Sequence, residues 1–362
     1  MTFDMIILLN ILLIKLSSTS LIFPFKIIKE EKNEKISSDD ISYNYKNFLD
    51  EYFNQIVYTN ISLGNPLKDI KIIITFEECN FKIKKSSECI INDNEFEIDI
   101  NAYSDINLKN NIKCENINYE PINYIYYKYN QFCGFIGLRM SKNDKRCNIK
   151  FNLINNLHLK KYINKNEWLL KYTSKEDGLL IFGSDNLKDF IPNFNPDNLY
   201  KTNSIITGVS NNWLFNIQKV ISIDIENNKT DYINKKIIKG EIDNDLFFLQ
   251  GSYNYQNFIE KNYFKNYLKN KICSKNIWHK NEMEGYFIFE CDKKDFNDKD
   301  LKNFPKLNFI CFNGDVKLEF DYKDLFTETK YKYFFNIIFD KNPTSLVKLG
   351  KIFLKKYPVN FN

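Results

Sequence analysis

The sequence predicts a mainly β protein in two halves. Three observations carry that expectation. Short segments of alternating apolar residues recur along the chain, separated by clusters of Asn, Asp, Gly and Lys. Glycine is scarce, 11 residues in 362, and most of these close a strand or sit in a turn beside one. A weakly patterned stretch, "SDNLKDFIPNFNPDNLYKTNSI" (184–205), holds two of the eight prolines and marks the junction between halves.

The strand segments are "FEIDI", "GLLIFGS", "YFIFEC", "KLNFICFN" and "VKLEF". Helical spacing is confined to "FNLINNLHLKKYI" and, more clearly, "NFIEKNYFKNYLKNKI". There is no short-period repeat. Hydrophobic content of 43% over 362 residues is enough for two domains or one large β unit. The net charge of +5 is spread along the chain with no basic block, which argues against a nucleic-acid partner. The richness in Asn, Lys and Ile lowers what any single one of those residues can signal.

The chain opens "MTFDMIILLNILLIKLSSTSLIF". Met5 to Ile14 has the length of a signal-peptide apolar region, and Ser18-Thr19-Ser20 supplies small residues for cleavage. Residues 1–20 are therefore expected to be a signal peptide, although a basic first region is missing; an uncleaved N-terminal anchor is the alternative. No other stretch is apolar enough to span a membrane. Eight cysteines (Cys79, Cys89, Cys114, Cys133, Cys147, Cys273, Cys291 and Cys311) fit an oxidising compartment, extracellular, at the cell surface or endomembrane. Five precede residue 150 and three follow residue 270, so either one bridge crosses the halves or two thiols stay outside the bridges. With no CxxC pair and only His158 and His279, neither a metal nor a cofactor is expected. His158 lies on an amphipathic helical segment, and His279 follows Trp278 in a polar, loop-like stretch. Asn60-Ile61-Ser62 and Asn228-Lys229-Thr230 are sequons.

The glycine-bearing pieces, in their order, resemble the pepsin-like aspartic proteases, peptidase family A1. "DEYFNQIVYTNISLGNP" (50–66) is similar to that family's opening strand, and "CGFIGL" (133–138) to its Asp-Gly-Ile-Leu-Gly-Leu strand with Cys133 replacing the acid. "EDGLLIFGSDN" (176–186) resembles the strand near the lobe junction, and "NNWLFNIQKVISID" (211–224) the first strands of the second lobe. "FPKLNFICFNGDVKLEFDYKDLF" (304–326) and "VKLGKIFLKKYPVNFN" (347–362) resemble the last strands and the closing Leu-Gly-x-x-Phe-Leu. The resemblance covers 50–362. It implies a bilobal pepsin-like acid protease fold, two β-rich lobes around a central cleft. The lobes would be 50–200 and 201–362, with 21–49 a short propeptide-like segment.

The family's reaction needs two Asp carboxylates sharing one proton, each in an Asp-Thr/Ser-Gly turn. Matching Asn80-Phe81-Lys82-Ile83 of "IIITFEECNFKI" to the family's Asn-Leu-Trp-Val puts Thr75 at the first Asp. Phe76 then falls at the hydroxyl residue and Glu77 at the glycine. In "GEIDNDLFFLQGSY" (240–253), Gln250-Gly251-Ser252 matches Thr-Gly-Pro, which puts Asp243 at the second Asp, Asn244 at Thr/Ser and Asp245 at Gly. No glycine lies between Gly64 and Gly134, so the flap is expected to be shortened or absent, with Tyr103 a vestige at most.

The resemblance and these losses together imply a secreted or surface pepsin-fold protein without proteolysis, binding a peptide or a protein in its cleft, and expected as a monomer. Two alternatives stay open. One is an active aspartic endopeptidase using Asp243 with Glu77 or Glu78, since Glu77 would project from the same side of an extended chain as Thr75. The other is a structural coat or adhesion protein.

Overall fold

The computed structural model describes residues 20–29, 42–53, 55–63, 68–84, 89, 97–104, 108–115, 117–122, 125, 131–139, 147–183, 213–223, 229–232, 238–279, 284–311, 316–341 and 346–361. Asn228 and the stretch 184–205 lie outside them. The protein is mainly β, and its contacts divide it into two units. One contains 1–28, 56–199 and 354–362; the other contains 29–55 and 200–353.

The first unit is built on one sheet. Its described strands run in the order Val359–Phe361, Trp168–Tyr172, Asp177–Phe182, Leu21–Lys29, Gln55–Leu63, Lys68–Thr75, Gly134–Gly137, Phe81–Lys84 and Glu120–Ile122. Leu21–Lys29, within the segment read above as propeptide-like and signal-flanking, sits in the middle of this order. Its Leu21, Ile22, Phe23, Phe25 and Ile27 are all buried. Lys68–Thr75 runs parallel to Gly134–Gly137, and Phe81–Lys84 returns antiparallel to the same strand.

The second unit repeats that arrangement. Ile238–Ile242 runs parallel to Leu346–Leu349, and Leu249–Gly251 returns antiparallel to it. Trp213–Ile223 pairs with Ile238–Ile242 on one side and Lys306–Cys311 on the other. Lys306–Cys311 forms a hairpin with Val316–Phe320. The helical spacing over 257–272 gives one continuous helical stretch, Tyr253 to Lys269, with a wider turn at Glu260–Phe264. The spacing over 151–163 gives the helix Leu153–Leu159. Among the described residues no helix is long and apolar enough to cross a membrane.

Three disulfides form inside the units, Cys79–Cys147 and Cys89–Cys133 in the first and Cys273–Cys291 in the second. Cys114 and Cys311, one in each unit, are buried outside these bridges. Burial pushes the Cys311 thiol up to about 12, so it behaves as a small core residue. His279 corrects the loop expectation: it ends the strand Cys273–His279, exposed and opposite Gly285. His158 is half-buried on its helix, with Nδ1 3.4 Å from the Ile163 carbonyl.

The helix Tyr45–Phe53 belongs to the second unit. Asn44 starts it: its Oδ1 accepts from Lys46 N, and Asn47 Oδ1 accepts back from Asn44 N. Phe48, Leu49, Tyr52 and Phe53 fall on one face. Phe48 stacks on Phe334 at 4.3 Å between ring centroids and meets Phe248 edge-on. Tyr52 lies against Phe247, and Phe53 stacks on Trp278. Phe48 and Leu49 are fully buried, so this helix is core rather than cover. Phe48→Ala is expected to cost about 3–5 kcal/mol, as a buried aromatic truncation does. The exposed control Lys46→Ala should stay within about 0.5 kcal/mol. Urea unfolding midpoints measure both.

Candidate functional site

Each unit carries its own candidate turn, which follows a strand paired in parallel with one that ends at a glycine (Gly137, first unit) or just before one (Gly350, second unit). In the first unit Ile72, Ile73 and Ile74 anchor the strand in the core, and the chain turns at buried Thr75. Thr75 Oγ1 accepts from Glu77 N at 3.0 Å, and its carbonyl accepts from Leu138 N at 2.9 Å. The next residue, Phe76, is buried edge-on against Trp168 and Phe361, which stack on each other at 3.9 Å. Aromatic packing therefore holds the residue after Thr75.

Glu77 is exposed; its carbonyl accepts from Arg139 Nη1 at 3.4 Å. Glu78 pairs with Lys82 at 2.8 Å. Beyond them the turn is pinned from below. Asn80 is buried, donates to Glu120 and accepts from Asn148 N, while Asn152 Nδ2 donates to the Cys79 carbonyl. The Cys79–Cys147 bridge adds a covalent tie. Asn152 was invisible as a site residue in a sequence this rich in asparagine.

In the second unit Asp243 N donates to the Leu349 carbonyl at 3.1 Å. Asp243 Oδ1 accepts from Asp245 N at 3.0 Å, and Oδ2 accepts from Lys348 Nζ at 3.1 Å. Glu241 stands 4.0 Å from the same ammonium. Burial alone would lower the Lys348 ammonium, but Asp243 and Glu241 outweigh it and hold it above its ordinary value. Asn244 is fully buried. Lys351 is also fully buried, with Nζ 3.5 Å from the Asp245 carbonyl. Burial lowers its ammonium to about 8, against the pull of Asp245 and Asp243.

The two turns are equivalent step by step. Gly137 N donates to the Asn80 carbonyl as Gly350 N donates to the Phe248 carbonyl. A Cβ on Gly137 would lie 2.5 Å from the Glu78 carbonyl carbon, and one on Gly350 would lie 2.4 Å from the Leu246 carbonyl oxygen. Both glycines are therefore required by the backbone pressed over them. Counted back from these anchors, Thr75 and Asp243 hold the same place, each with its side-chain oxygen accepting from the amide two residues on. One turn thus offers a hydroxyl and the other a carboxylate already paired with a lysine. Among the described residues no group of three or more His, Cys, Asp or Glu is placed to hold a metal ion.

Between the first turn and Gly134 the chain forms an antiparallel hairpin, Glu97–Ser104 with Leu108–Glu115, edged onto Gln55–Leu63. Tyr103 lies in its first strand opposite Lys109.

No family model and no curated protein matches the chain. Solved structures do match. Conglutin gamma, described as a unique basic 7S globulin from lupine seeds, is similar with a TM-score of 0.61 and 12% identity over 96% of this chain and 95% of that one. The basic 7S globulin from soybean gives 0.58 and 10% over 95% and 92%. The protein named edgp gives 0.59 and 10% over 95% and 92%. At these identities the likeness shows the fold: mainly β, of the pepsin-like type.

Two lysines at one turn make distinct expectations. Lys348→Met removes the charged partner of Asp243 and should destabilise by about 1–3 kcal/mol. Lys348→Met with Asp243→Asn should cost less than the sum of the two single changes. Lys351 works the other way. Its folded value near 8 lies below the ordinary 10.5, so the unfolded chain binds the proton more tightly. Stability from this group is fully present above 10.5 and is lost as pH falls through about 8. Chemical denaturation from neutral to alkaline pH should show wild type gaining relative to Lys351→Met across that window.

Proposed function

We propose that this chain is a catalytically inactive pepsin-fold protein of the secretory pathway that works by binding a peptide or a protein. One observation carries the reading. Where shared-proton chemistry needs two carboxylates in equivalent turns, this chain has Thr75 in one and a lysine-paired Asp243 in the other. A threonine hydroxyl does not ionise at physiological pH, so it cannot stand in for the second carboxylate of a shared-proton pair. Asp243 does keep a carboxylate, but its immediate partner is an ammonium rather than a second acid. Glu77 and Glu78 could replace the missing acid only if the turn were rebuilt, since one is exposed and the other is paired with Lys82.

The remaining parts of the reading have their own support. Three disulfides suit an oxidising compartment, with residues 1–20 as the leader that carries the chain there. Retention of both glycine-backed turns without their chemistry favours a binding scaffold over an enzyme.

The deciding assay is proteolysis of a denatured protein from acid to neutral pH, with and without pepstatin. No cleavage is expected from wild type. Thr75→Asp alone should also stay inactive, because Lys348 still occupies Asp243. Pepstatin-sensitive cleavage by wild type that disappears in Asp243→Ala would overturn the reading in favour of an active endopeptidase.

A further inference from the structure

The sequon Asn60-Ile61-Ser62 lies within the strand Gln55–Leu63. Strand alternation divides its neighbours sharply. Thr59 is buried and donates to the Pro24 carbonyl at 2.7 Å, and Ile61 is buried in the core. Asn60 is exposed. Its cross-strand neighbour is exposed Lys71, and Ser62 stands opposite Asp69, to which its hydroxyl donates. The acceptor amide and the hydroxyl two residues on therefore share one solvent-facing side of the first unit's sheet.

We propose that Asn60 is an N-glycan acceptor, a modification that rests on the secretory location argued above. In that reaction the Asn60 carboxamide nitrogen forms a bond to the anomeric carbon of a lipid-pyrophosphate-linked oligosaccharide. The bond from that carbon to the pyrophosphate oxygen breaks, the lipid pyrophosphate leaves with the electron pair, and the carboxamide gives up one proton to base. The folded sheet accommodates the product because the sugar extends from an open face and displaces no core contact. The same face is then closed to any protein partner of the first unit.

The test expresses the full chain in eukaryotic secretory cells in two arms, with its own N-terminus and behind a separate secretion leader. The readouts are the mobility shift on amidase release of N-glycans, conversion of residue 60 to aspartate in the released peptide, and disulfide formation. Wild type should lose one glycan's mobility shift that Asn60→Gln and Ser62→Ala lack and Ser62→Thr retains, while Asn228→Gln leaves the conversion at residue 60 intact. Unmodified Asn60 in the leader arm, with the three disulfides formed, would overturn the acceptor and leave the secretory reading standing. Reduced cysteines and no glycan from the chain's own N-terminus would overturn both.

Discussion

The structure depends on backbone pressed against glycine at two places. In each unit a strand runs parallel to one that ends at or just before a glycine, Gly137 or Gly350, and the turn after it folds back over that glycine. Any side chain there would enter the turn's own backbone, so the turn shape is set by main-chain packing before its side chains matter. The turn shape therefore tolerates different side chains at its first three positions. The amide two residues on needs an acceptor, and Thr75 satisfies it as well as Asp243 does.

The side chains at the turn differ between the units. In the first, Phe76 enters an aromatic trio with Trp168 and Phe361 and converts a polar turn position into core. Offset and edge-on aromatic pairs of this kind contribute about 0.5–1.5 kcal/mol each beyond burial. In the second, Lys348 and Lys351 flank a turn whose three central residues are Asp243, Asn244 and Asp245.

Much of the fold was legible in the sequence. "GLLIFGS", "KLNFICFN" and "VKLEF" each form the expected strand; "VKLEF" alternates buried and open residues, while the other two carry consecutive buried residues. The hairpin was only half legible. "FEIDI" reads as a strand, but its partner "LKNNIKCE" has little apolar alternation and pairs through its backbone. At the site, Thr75 and Asp243 were legible because each sits a fixed count from an anchoring residue. Lys348 and Lys351 were not. They lie more than a hundred residues after Asp243, and only the parallel pairing of 239–242 with 346–349 brings them to it. Phe76 likewise needs Phe361 from the far end of the chain.

The buried Lys351 is the strongest physical mark on the second turn. Taking an ammonium wholly out of water is costly, and here the compensation is a single long contact to the Asp245 carbonyl plus the field of two acids. A turn evolved to share a proton between carboxylates gains nothing from a buried cation next to it, since that cation favours the charged acid over the shared proton. A turn retained for shape alone can tolerate one. Here the glycine-backed turn keeps its shape with that buried lysine beside it.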